Sequence, residues 1–509
     1  MQGKFLSRSS FYPWLALLLV TVVAAVILAA CGGSSDAPTS TTSSVTSTVT
    51  TTFSDPPICE PPAGQFAHAW VTITKVRAHL SETAEGGATG WVDLVDLTAN
   101  PMQIDLLGGD STQCILAMLG TTTALPAGKY GQIRLHLLAN NPAGGTPTPS
   151  NNACDDAPNA LPSTIFNCVQ LMDDNGAKQQ LLLSSQANTG IKIPPGQIAG
   201  GGLMLEAGQT ADINISFNAC LSIVEQGNGE FRLKPTLRAG EVSTADTVTG
   251  TVVEVVDPVA NTTQPLPAGA VVQIFIEDTS DPQNPKIVET IMANSNGGFS
   301  LCPVPQPVPS GGFTVVATAI VPDPAAVGVT ATYNATVLFG VQPGNAIGNI
   351  GLIKEADPSS PAQIDGVLTS TPNTLLVPFS LFALQEVTPM GGVATKVIIP
   401  VFTLMDEGIE STSSVQTDPA VMPAVTCPAE APAGSLCANY TLFTPASNPR
   451  VGNTGSPAGP PVNFFVNAQV PTEVTCDAAS KTTAAFEVMP AMTATAPRLD
   501  FGPCMATAP

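Results

Sequence analysis

The stretch GQIRLHLL, residues 131–138, alternates Ile133, Leu135 and Leu137 with Gln132, Arg134 and His136. A period of two marks a strand with one buried and one wet face. ADINISFNAC repeats the pattern, Ile213, Ile215 and Phe217 alternating with Asp212, Asn214 and Ser216, and FRLKPTLR sets Phe231, Leu233 and Leu237 opposite Arg232, Lys234 and Arg238. In AWVTITKVRAHL the apolar phase shifts from Val71 and Ile73 to Val76, Ala78 and Leu80. A β-bulge near Thr74 and Lys75 would return both halves to one face. Strand signals continue in VTGTVVEVVDP, VVQIFIED and GGFTVVATAIV, and later in VIIPVFTL, ANYTLF and VNFFVNAQV, separated by Gly and Pro turns. The pattern predicts an all-β chain of tandem β-sandwich domains, immunoglobulin-like or prealbumin-like. Their expected bounds are 60–242, 245–353 and 362–509, with EADPSSP, residues 355–361, as a linker.

The N-terminal segment departs from this pattern. Lys4 and Arg8 precede an uncharged apolar run from Trp14 to Ala30, followed by Leu28-Ala29-Ala30-Cys31 at its end. This resembles the lipobox of bacterial lipoproteins, and the resemblance implies cleavage of residues 1–30 and lipidation of Cys31. One acyl chain holds a protein only marginally, so several are expected there. A signal-anchor helix is the alternative, since the run is nearly long enough to span a bilayer. Gly32 after the cysteine implies sorting to the outer membrane or cell surface. Of the 16 residues from Thr39 to Ser54, 13 are Ser or Thr. Residues 31–58 are therefore expected to form a disordered tether.

Charge and cysteine content sharpen this picture. Without Lys4 and Arg8, 15 basic residues face 39 acidic ones, a net −24, which excludes nucleic acid as a partner of the whole chain. There are 11 cysteines, and lipidation of Cys31 leaves an even ten, as expected in an oxidising compartment. Local spacing pairs Cys427 with Cys437, which leaves Cys476 for Cys504, and pairs Cys154 with Cys168 across a loop. Cys114 with Cys220 and Cys59 with Cys302 complete the set.

Two further resemblances rest on motifs. VTITKVRAHL, GWVDLVDL, PMQIDLL, LPAGKYGQIRLHL and SIVEQGNGEFRLKPTLR, in that order, resemble the bacterial family known as domain of unknown function 4382. That likeness covers most of residues 64–242, implies a β-sandwich-like ectodomain, and brings no catalytic residues with it. Residues 245–353, with NSNGGFSLCPVP ahead of GGFTVVATAIV, resemble the carboxypeptidase regulatory-like, transthyretin-like sandwich.

The chemistry is sparse. G-x-S-x-G, H-E-x-x-H, G-x-x-x-x-G-K-[ST] and G-x-G-x-x-G are absent. His68, His79 and His136 all fall in the first domain, where isolated strand histidines are more often hydrogen-bonded than catalytic. Acidic turns such as MDDNG lack the alternating ligands of a calcium loop, so no metal or cofactor is expected. Residues 60–242 hold nine of the basic residues. Arg134, Arg232, Lys234 and Arg238 are the candidate ligand-binding residues, provided they share one wet face. The expectation is a non-enzymatic envelope lipoprotein, membrane-bound through its lipid, that binds a glycan, envelope polymer or protein. The alternative is a secreted hydrolase of unrecognised type with its site in the first domain.

Overall fold

The computed structural model describes residues 46–506, apart from 55–65, 83, 109–114, 172–175, 184–189, 194–196, 218, 226–229, 234–236, 244–246, 324, 358–360, 372–376, 405–407, 413, 418–426, 454–461 and 471–473. The cleavage site and Cys31 lie outside them. Among the described residues the chain is nearly all β, a four-residue helix at Ala219–Ser222 and short 3-10 turns aside.

Two sheets build the first region. One holds β1 (Ser47–Ser54) between β12 (Thr210–Phe217) and β5 (Ala117–Leu125), with β15 (Leu237–Ser243) beyond β12. The other is organised on the 14-residue β2 (Phe66–His79). One edge of β2 pairs with β3 (Val92–Asp96) and β4 (Met102–Asp105). The other pairs with β7 (Gln132–Leu137), which continues to β10 (Ile191–Ile193), and with β8 (Cys168–Leu171), which continues to β9 (Lys178–Leu182), β14 (Phe231–Leu233) and β13 (Ile223–Glu225). A short pair, β6 (Gly128–Tyr130) with β11 (Leu203–Leu205), completes the region. Val49, Phe53, Ile213, Ile215 and Phe217 from one sheet share a core with Val71, Ile73, Val76, Ile133 and Leu135 from the other. The expected bulge is present: the β2–β7 register slips between Ile73 and Lys75, so Ile73, Val76 and Ala78 all bury fully.

Residues 47–54 are not a tether. β1 runs parallel to β12 and antiparallel to β5, with Val49, Thr51 and Phe53 at 0% exposure. Thr is β-branched and favours a pleated strand, and alternation of Val49, Thr51 and Phe53 aims one face at the core. The Thr52 hydroxyl donates to Ile213 O and the Ser47 hydroxyl to Glu206 O, so burial leaves these two groups satisfied. The wet face expected of residues 210–217 is also partly covered, since Asn214 and Ser216 are buried.

The second region packs a sheet containing Val248–Asp257 against one containing Val271–Asp278 and Phe313–Pro322. The third packs Ala362–Thr371 and Leu436–Thr444 against Val377–Val387 and Val462–Gln469. The regions interlock. Val304–Pro305 pairs with β15, and Arg450–Val451 pairs with Thr336–Val341 of the second region. The expected linker starts with a buried anchor instead: the Glu355 carboxylate accepts hydrogen bonds from Ala446 N, Ser447 N and the Ser447 hydroxyl, at 2.7–3.0 Å. Glu277, wholly buried, accepts from Ile398 N at 3.1 Å. The Arg450 guanidinium donates to Gly351 O and Asn261 Oδ1.

Three expected disulfides are formed, Cys154–Cys168, Cys427–Cys437 and Cys476–Cys504. Cys302 is also disulfide-bonded. Cys59, Cys114 and the Cys220 side chain lie outside the described set.

Candidate functional site

Because Ala69, Val71, Val76 and Ala78 point into the core, alternate residues of β2 form an outer face: His68, Trp70, Thr72, Lys75, Arg77 and His79. Cross-strand register extends it. Arg77 lies opposite Arg134 of β7, Arg134 opposite Lys192 of β10, and Lys75 opposite His136. Along the other half, His68 lies opposite Gln170 and Trp70 opposite Cys168, and the register carries this face through Lys178 and Gln180 to Arg232. All three histidines, Trp70 and six basic residues thus share one sheet face.

The half built on residues 66–72 is covered. The cysteine-bearing insertion folds over it, with Cys154, Ile165, Cys168 and Leu161 packed around Trp70. Thr72 N donates to Asn167 Oδ1, and the Thr72 hydroxyl to Phe166 O. The Lys178 ammonium lies 5.6 Å from the Trp70 ring centre and donates to Ala153 O and Asp156 O. His68 stacks on Trp70, and its Nδ1 meets Asp105 Oδ2 at 2.5 Å. Asp105 Oδ1 accepts from Ala69 N and Leu107 N, which fixes the carboxylate.

The half built on residues 75–79 centres on Trp91. The guanidinium carbons of Arg77 and Arg134 each lie 5.2 Å from its ring centre, and His79 packs at 5.1 Å. Trp91 Nε1 donates to Glu85 O. Arg134, 8% exposed, donates from Nη2 to Ala84 O, so it holds down the 80–91 loop. His79 accepts from Ser81 N at Nδ1, and its Nε2 lies 3.0 Å from Thr89 O. Its ring organises that same loop.

Asp93 and Asp96 flank the cations. Lys75 reaches both at 3.1–3.2 Å, and Arg77 Nε reaches Asp93 at 3.1 Å. Partial burial pulls Lys75 down, but its hydrogen bonds to Asp96 and Asp93 outweigh this and hold it above the ordinary lysine value. Asp96 falls to about 2, through hydrogen bonds from the Thr98 hydroxyl and amide before any effect of Lys75. His136 falls to about 4, first through burial and then through Arg77, Arg134 and Lys75. It is neutral at pH 7, and its buried Nε2 has no hydrogen-bond partner among the described residues.

The four expected ligand-binding residues are therefore only partly assembled. Arg134 and the exposed Arg232 share the outer face but stand on opposite halves of it, and Lys234 lies outside the described residues. Arg238 belongs to the other sheet. There its Nη1 donates to Ile287 O of the second region, beside Glu289. Lys75, Arg77, Lys192 and Trp91, absent from the expected set, are what gather around Arg134. For Lys75 and Arg77 the signal in sequence is the polar phase of VTITKVRAHL, readable once the bulge is placed; Lys192 and Trp91 reach Arg134 only through register and packing. Among the described residues, no group of three His, Cys, Asp or Glu side chains is placed to hold a metal ion.

Residues 46–235, which include β1 and this whole face, match the family model described as Domain of unknown function (DUF4382). No curated protein matches the chain. Among solved structures, it is similar to the Bacillus anthracis TIE protein, at 9% identity over 90% of this chain and 50% of that one, with a TM-score of 0.13. It spans about half the length of that protein. The shaft pilin SpaA from Lactobacillus rhamnosus GG matches at 11% identity over 52% of this chain and 99% of its own, TM-score 0.15. A streptococcal ancillary pilin matches at 7% identity over 89% and 99%, TM-score 0.15.

Proposed function

We propose that this chain is a non-enzymatic protein of the bacterial cell envelope, anchored through lipid on Cys31, whose first β-sandwich binds an envelope component through the outer face of β2. The observation that carries this is the gathering of Lys75, Arg77, Arg134 and Lys192 around one half of that face in a chain of net charge −22. Lys75, Arg77 and Lys192 are partly accessible, and cations set against an acidic background attract anionic partners and orient them. In this reading the second unit, of the carboxypeptidase regulatory-like kind, and the third act as supports. The test is sedimentation of the purified chain with isolated cell envelopes. Binding that weakens with salt supports the reading, and absence of binding at low salt overturns it.

The His68–Asp105 pair favours a second reading, a hydrolase that uses an oriented imidazole as base. Such a base needs a nucleophile or water on its other ring nitrogen, and among the described residues Asp105 is the hydrogen-bond partner His68 has. Ester, peptide or glycan hydrolysis that disappears in His68→Ala would support this reading over the first.

A further inference from the structure

The face of the first sheet turned away from its core is not open to solvent throughout. Ser54 of β1, Ser216 of β12 and Arg238 of β15 stand in register across three strands, and Thr52, Asn214 and Gly240 form the next row. The second region lies over this face with its strands Lys286–Met292 and Gly298–Leu301, and a narrow cleft remains between the two layers. Val242, Val288, Leu301 and Pro305 give it apolar walls, while Arg238 enters from the first region and Glu289 from the second. The cavity measures about 40 Å³, room for about three waters.

Neutral polar groups on this face partner one another. The Thr52 hydroxyl donates to Asn214 Oδ1, and Asn214 Nδ2 donates to Ser54 Oγ at 2.7 Å. The two charges do not pair. A guanidinium has five N–H donors, and Arg238 places one of its own, on Nη1, against Ile287 O. Among the described residues no carboxylate lies within 4.0 Å of it. Glu289 Oε1 accepts from Thr290 N. Burial is the leading influence on both groups, lowering Arg238 and raising Glu289; the charge each sets on the other, with the Thr290 and Ser216 hydrogen bonds to Glu289, offsets it only in part. Both side chains stay partly accessible. Opposite charges that line one cleft without pairing are best completed by a ligand carrying both signs. A simple anion would pair with Arg238 but set its charge against Glu289, and a simple cation would do the reverse.

We infer that this cleft binds a small free α-amino acid, glycine or alanine in size, with the ligand carboxylate on the Arg238 guanidinium and the ligand ammonium on the Glu289 carboxylate. The cavity volume limits the ligand to little more than its charged head group, and the apolar walls favour a short aliphatic side chain over a polar one. The site belongs to the other sheet from the β2 face and does not depend on the role proposed for that face.

The test is isothermal titration calorimetry of the full chain with L-alanine, with propionate, which keeps the carbon skeleton and carboxylate but lacks the ammonium, and with ethylammonium, which lacks the carboxylate. L-Alanine should bind, and each of the other two should bind at least about tenfold more weakly, the scale of one charge-assisted hydrogen bond. Glu289→Gln should weaken L-alanine at least about tenfold and leave propionate bound as well as before or better, a change of preference that a merely structural role would not produce. Arg238→Gln should weaken L-alanine and propionate together. Should that variant misfold through loss of its contact with Ile287, Glu289→Gln and the three ligands on the parent chain keep the test decisive. No heat of binding at millimolar L-alanine overturns the site. Propionate binding as tight as that of L-alanine, or a folded Glu289→Gln chain that binds L-alanine as the parent does, overturns the amino-acid assignment.

Discussion

Phe53 decides whether the Ser/Thr-rich segment is structure or spacer. It is fully buried, lies opposite Ile215 in the β1–β12 register, and its ring centre is 6.0 Å from that of Phe217. Truncation to alanine removes the transfer free energy of the ring and leaves a cavity that the surrounding sheets fill only in part. Such changes cost about 3–5 kcal/mol, a large share of the roughly 5–15 kcal/mol that holds a typical domain folded. With a urea dependence of roughly 2–3 kcal/mol per molar for a region of this size, the midpoint of its unfolding should fall by about 1–2 M. Tyr130, buried in the first region, offers a fluorescence probe alongside Trp70 and Trp91. Thr46→Ala, at an exposed site just outside β1, is the control and should stay within about 0.5 kcal/mol. If Phe53→Ala shifts the midpoint no more than that control, β1 is not part of the core and the reasoning fails.

His136 should titrate near 4 by NMR, against about 6.5 in the unfolded chain. Its folded value is depressed, so its contribution to stability is complete above about 6.5 and is lost as pH falls towards 4; Arg77→Gln should raise the midpoint, and an unchanged midpoint would contradict the assigned cause. Burial drives Glu277 well above the ordinary glutamate value, only partly offset by the Ile398 amide. That stability is complete below the unfolded value and is lost as pH rises, so Glu277→Gln should gain on the parent between pH 4 and pH 8 in thermal melts; a constant difference would count against a neutral carboxyl. Non-reducing alkylation should label none of Cys154, Cys168, Cys427, Cys437, Cys476 and Cys504, and mass spectrometry should find a mature chain that starts at a lipidated Cys31, with Cys31→Ser left uncleaved.

What the sequence made legible was local. The alternation in GQIRLHLL and FRLKPTLR picked out the buried apolar residues, although Gln132 and Arg134 of the expected wet face are buried as well and FRLKPTLR is divided between β14 and β15 of different sheets, and the broken phase at Thr74 located the bulge because a one-residue slip moves every later side chain to the other face. Short loops between cysteines gave Cys154–Cys168 and Cys427–Cys437 for the same reason, and the second of these left Cys476 for Cys504. β1 was missed although Val49 and Phe53 alternate correctly, because Ser and Thr composition says nothing about whether backbone partners 70 and 160 residues away will cover a segment. The cationic row was hidden likewise: Arg77, Arg134 and Lys192 meet through register between distant strands. Arg134 and Arg238 both sit on the polar phase of a strand, yet one underlies the Trp91 loop and the other crosses to the second region, a difference set by packing alone.

The position of β1 also determines how the molecule responds to being pulled. Tension entering from the N-terminal side reaches this sheet at Ser47, and β1 then carries it along its own axis. Its pairing with β12 runs from Thr48 to Ser54, and its pairing with β5 spans the same strand on the other edge. Two ladders stressed lengthwise must slide as a whole, so their hydrogen bonds resist together instead of opening one after another like a zipper. Withdrawing the strand would also drag Val49 and Phe53 out of the core. The part of the fold nearest the N-terminus is thus its mechanical clamp, and extraction of a single eight-residue strand is the event that would release it.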